Sequence, residues 1–139
     1  MRILIAALFA LALSWGGPAH AQNISPNQMS GCNKSALYDA STNGSTKLVT
    51  GTATAQIYVC GFDLNAGGTV NVQIVYGTGG TCGTGQTAIT PSWQFTAQIG
   101  IVDHLPVYTG LPPAPASNDV CIKTSAGVAV QAILYYTQF

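Results

Sequence analysis

Few side chains in this 139-residue chain could do chemistry. The histidines are His20 and His104, there is no glutamate, and the carboxylates are Asp39, Asp63, Asp103 and Asp119. Only Asp103-His104 sets an acid beside an imidazole. A Ser-His-Asp hydrolase needs its carboxylate to orient the ring from across the fold. Neighbours on a strand point to opposite faces, so the pair reads as part of a turn. A glycosidase pair would have to be two aspartates. Asp39, Asp63 and Asp119 lie near turn signals, where aspartate caps backbone groups. No D-x-D-x-D-G spacing marks a calcium loop. The expectation is a non-enzymatic chain with no cofactor and no dedicated metal site.

The other reactive residues are Cys32, Cys60, Cys82 and Cys121. An even count in a small exported domain reads as two disulfides. Zinc would favour close spacings such as C-x-x-C, which are absent. Export itself is read from residues 1–21: Met1-Arg2, an apolar run over 3–13, and small residues ending in Ala19-His20-Ala21. That is the layout of a cleaved signal peptide, and the run is too short for a membrane anchor. The mature chain then begins at Gln22, with an arm over 22–35 and one domain over 36–139.

After cleavage the basic side chains are Lys34, Lys47 and Lys123. The whole chain is only 6% charged, against about a quarter in ordinary domains, so threonine, serine, asparagine, glutamine and glycine must make the surface. No basic patch exists to neutralise phosphates, which disfavours nucleic acid. Little like-charge repulsion opposes contact between copies, which suits an assembly subunit. The glycine-dense stretch 77–85 lacks the G-K-[ST] and following helix of a phosphate loop, so it reads as a loop pinned by Cys82.

These residues must be positioned by strands. Residues 57–76 hold two alternating runs around Asn65-Ala66-Gly67, which reads as a hairpin setting Phe62 against Val70 and Cys60 against Val72. A second hairpin is expected around Ser125-Ala126-Gly127, setting Ile122 against Val130 and joining strands over 120–124 and 128–137. Residues 92–101 alternate as one long strand with Trp93, Phe95, Ala97, Ile99 and Ile101 inward. Shorter strands are expected over 36–39, 47–50 and 107–111, and 112–115 as an extended surface crossover. About eight strands without helical periodicity imply an all-β, antiparallel, jelly-roll-like sandwich.

In those registers Cys60 points into the core and Cys121 away from it, which argues against joining them. Cys32–Cys60 with Cys82–Cys121 fits best, and Cys32–Cys121 with Cys60–Cys82 also respects parity. The last strand is apolar on two faces. Val128, Val130, Ala132, Leu134 and Tyr136 are expected to face inward, which sets Ile133, Tyr135 and Phe139 on a second, outer apolar face. Such a strand is central or covered. The reading is a homo-oligomer interface; the rival cover is the arm over 22–31. Trp93, Tyr108, Tyr135 and Phe139 are also the rings that could stack on a cell-surface glycan. Asn23, Asn33 and Asn43 open N-x-S/T triplets.

From Tyr38 onward the chain resembles small cysteine-containing β-rich proteins encoded in bacterial and tailed-phage genomes. The likeness is carried by Tyr38-Asp39-Ala40-Ser41-Thr42, IYVCGF at 57–62, GGTVNV at 67–72, YGTG and CGTG within 76–85, and VCI with VAVQAI within 120–133. It implies a surface-exposed or virion-associated structural role. The combined expectation is a secreted, periplasmic or extracellular β-sandwich acting by self-assembly or surface attachment. The runner-up is a small carbohydrate-binding module, with a virion-associated protein third.

Overall fold

Apolar residues at every second position bury one side of an extended chain, a pattern carried by most of the nine strands among the described residues, though Thr84–Ala88 is exposed throughout. The computed structural model describes residues 31–96, 98–104 and 111–139. The expected signal peptide, the arm up to residue 30 and most of the 107–111 strand lie outside the described residues. The strands are β1 (Lys34–Ala40), β2 (Gly44–Val49), β3 (Ile57–Ala66), β4 (Val70–Thr78), β5 (Thr84–Ala88), β6 (Trp93–Phe95), β7 (Ile99–His104), β8 (Asp119–Thr124) and β9 (Val130–Gln138). Every strand pair is antiparallel.

One sheet has the order β1-β9-β3-β7, and the other β2-β8-β4-β5 with β6 also on β4. The two halves of the chain pair in reverse order: β1 with β9, β2 with β8, β3 with β7, and β4 with β5 and β6. The resulting ribbon is rolled so that β9 also meets β3 and β8 also meets β4. That is a jelly roll. Between the sheets lie Ile57, Phe62, Leu64, Val70, Val72, Ile74, Val120, Ile122, Val130 and Leu134, each at most 3% exposed. Each fully buried aliphatic or aromatic side chain contributes about 1.5–3 kcal/mol.

Both expected hairpins are corrected. β3 and β4 lie in different sheets, as do β8 and β9, so the turns at 67–69 and 125–129 carry the chain across the sandwich. A strand that changes sheet keeps an inward apolar face, so its alternation is the same as that of a hairpin arm. The long strand over 92–101 is likewise two, β6 in one sheet and β7 in the other. Phe95 is buried and Trp93 packs on Phe62 with centroids 4.7 Å apart, whereas Ile99 is exposed at the edge.

β5 and β6 share one edge of β4, opposite Val75–Thr78 and Val70–Val72 respectively. At the break between them, Ile74 N–H donates to the buried Thr90 Oγ1 at 3.0 Å, in place of a ladder carbonyl. The 112–115 crossover is not wholly at the surface. Ala114 is fully buried and exchanges two backbone hydrogen bonds with Ile57.

Disulfides join Cys32 to Cys60 and Cys82 to Cys121. The register that favoured this pairing does not exist. β3 has a bulge between Val59 and Gly61, so Ile57 and Val59 face inward before it and Phe62, Leu64 and Ala66 after it. Cys60, the extra residue, is buried outside the main core instead of facing Val72. Its disulfide ties the segment before β1 to β3, the two neighbours of β9. Cys82 and Cys121 pack with Val75 in a small second cluster, beneath the glycine-rich turn.

Candidate functional site

The sheets differ on their outer faces. Among the described residues, the large apolar side chains that stay exposed are Leu37, Ile99, Val102 and Phe139, all belonging to the four-stranded sheet or its continuation. The other sheet presents polar groups outward: Lys123 Nζ donates to Gln86 Oε1 at 2.8 Å, and Lys47 pairs with Asp119 at 3.6 Å. Strand register aligns the exposed face of the four-stranded sheet in rows. One row runs Leu37, Ile133, Asp63, Val102; the next runs Asp39, Gln131, Asn65, Gly100. Together they line a groove of about 490 Å³ across all four strands.

The groove exists because of its residue types. β9 lies between β1 and β3, so Ile133 sits at mid-sheet with Leu37 and Asp63 as direct neighbours. Leu37 and Val102, on the edge strands, are 76% and 67% exposed. Gly100 keeps one end of the second row low, because a Cβ there would come within 3.0 Å of the Leu64 carbonyl oxygen. Asp39 accepts from Gln131 Nε2 at 3.4 Å and Asp63 from the Tyr135 hydroxyl at 3.0 Å. The Tyr135 phenol is held above the ordinary tyrosine value, first by burial, then by its hydrogen bond to Asp63 and the charge on that carboxylate.

Of the expected interface residues, Ile133 lies on the groove floor, with Tyr135 beside it on the same face. Phe139 lies farther along, where its ring stacks on Tyr58 with centroids 4.8 Å apart and planes 11° from parallel. Two of the three therefore have partners within the chain, contrary to the expectation. Asp39 and Asp63 are strand residues on this face instead of turn caps. Asp119 does cap a backbone group, accepting from Gly51 N–H at 2.8 Å. Asp103 and His104 lie on β7, opposite Phe62 and Gly61, and not in a turn.

Leu37 and Val102 were missed. Each borders the groove only because β1 and β7 pair with strands distant in sequence, and no local pattern announces that. Among the described residues no group of three or more histidine, cysteine or acidic side chains is placed to hold a metal, and no helix is long and apolar enough to cross a membrane. Compared with family models, curated proteins and solved structures, the chain matches none. The groove offers an apolar floor and walls with carboxylates and amides between them.

Proposed function

We propose that this is an exported, non-enzymatic structural or adhesive β-sandwich, acting by self-assembly or surface attachment through the outer face of its four-stranded sheet. The observation that carries the reading is the one-sided exposure of large apolar side chains, with Leu37 and Val102 flanking Ile133 across the groove. An apolar patch rimmed by polar groups marks an interaction surface. Leu37 and Val102 add nothing to the core, so stability does not account for them.

The test is light scattering of the chain from Gln22 at low to high micromolar concentration, alongside sedimentation with bacterial envelope preparations. Wild type should form oligomers or sediment with envelopes. Leu37→Ser with Val102→Ser should lose that behaviour while keeping the wild-type circular dichroism spectrum. A wild-type protein that stays monomeric and ignores envelopes would sink the reading.

A second reading, a carbohydrate-binding module, is favoured by one feature. Phe139, 55% exposed, offers an aromatic plane backed by Tyr58. Affinity electrophoresis in soluble polysaccharides tests it, because retardation abolished by Phe139→Ala would favour glycan over protein.

A further inference from the structure

We infer that the partner on this face is a polypeptide that lays a lysine or arginine side chain into the groove, a conclusion that rests on the attachment reading above. The groove has two chemistries side by side: aliphatic surface from Leu37, Ile133 and Val102, and negative charge from Asp39 and Asp63. Among the described residues, none that lines it is basic. A lysine or arginine side chain carries the same two chemistries in one group, an apolar stem and a cationic head. Laid across the strands, its stem covers Ile133 and its head meets a carboxylate, giving a charge-assisted hydrogen bond. The groove crosses three strand intervals, about 14 Å, enough for the stem and a few residues of extended backbone.

Two rival occupants fit less well. A second copy presenting the same face would set Asp39 and Asp63 against their own counterparts, and like charges brought together in an interface oppose association. Of the basic side chains, Lys34 lies over the ring of Tyr136, which packs against the core on the side of the sheet away from the groove. Lys47 and Lys123 are on the other sheet, where among the described residues no large apolar side chain is exposed to meet the groove walls. A glycan would want an aromatic plane, but the aromatic residue lining the groove, Tyr38, is 6% exposed and belongs to the core. Attachment to a basic polypeptide is thus favoured over face-to-face self-assembly.

The test is a methyl NMR titration of the mature chain with two blocked tripeptides, valine-arginine-valine and its neutral citrulline counterpart. The arginine peptide should move the Leu37, Ile133 and Val102 methyl signals and weaken with added salt. The citrulline peptide should bind about tenfold less tightly, the effect of one charge-assisted hydrogen bond. Asp39→Asn with Asp63→Asn should bring the arginine peptide down to the citrulline level. Equal binding of the two peptides would overturn the cationic partner and leave attachment standing. No shift from either, in a protein that is monomeric and ignores envelopes, would remove both. Shifts at Tyr58 and Phe139 with cellohexaose, and none with the peptides, would replace the partner with a glycan. Oligomers abolished by Lys123→Ala would make it a second copy.

Discussion

The Tyr135 hydroxyl donates to Asp63 Oδ2 at 3.0 Å, linking adjacent strands on the exposed side of the candidate face. Burial, then this bond and the Asp63 charge, raise the phenol above the ordinary tyrosine value. The folded state therefore keeps this proton to higher pH than the unfolded chain, where tyrosine ionises near about 10. The associated stability is fully present below that value and is lost as pH rises through the folded-state value. An ultraviolet absorbance titration should show Tyr135 ionising later in the native protein than in denaturant, and Tyr135→Phe should remove that late component. A Tyr135 component that titrates identically in both states would rule out the bond.

Thr90 stands at the break between β5 and β6, where its hydroxyl accepts from Ile74 N–H inside the protein. Thr90→Val keeps the shape and strands that donor, at a cost of about 1–3 kcal/mol. Thr90→Ser keeps the acceptor and should cost less. Urea denaturation of the two variants checks the order, and equal losses would show that the hydroxyl is idle.

Gly51 packs directly against the Asn118 backbone, where a Cβ would overlap main-chain atoms. Its N–H also donates to Asp119 Oδ1, whose partner oxygen pairs with Lys47. Gly51→Ala should lower stability by about 1–3 kcal/mol through overpacking. A thermal midpoint equal to that of wild type would show that this junction yields freely.

Removing the Cys82–Cys121 bond by Cys82→Ala with Cys121→Ala should cost about 2–4 kcal/mol, because the bridge spans 39 positions of chain. Non-reducing peptide mapping should first recover the two pairings seen here. A midpoint in guanidinium unchanged by the double variant would mean that Val75 and its neighbours hold this end of the sheet unaided.

Strand positions were legible because a one-sided core imposes alternation, and the runs through Phe62, Val72, Ile122 and Leu134 show it plainly. Which strands pair was not legible. The connection after Leu64 has the same pattern whether the chain turns back in its own sheet or crosses to the other. The bulge at Cys60 was hidden in the same way, since Tyr58 and Phe62 look like members of one face until a residue is added between them. For the site, Ile133, Tyr135 and Phe139 stood out as an outer apolar set on one strand. Leu37 and Val102 join them only through partners nearly a hundred and some forty positions away in the chain, at Ile133 and Asp63 respectively.

The place of β9 between β1 and β3 has a consequence for how the protein comes to be folded. Its pairing with β1 is among the longest-range in the chain, and non-local β contacts form slowly because loop entropy is lost before they can reward it. Until β9 is in place, β1 has no neighbour among the described strands and the four-stranded sheet cannot close. A chain that has not yet docked β9 therefore leaves an unpaired edge on both β1 and β3, the kind of edge that pairs with other chains.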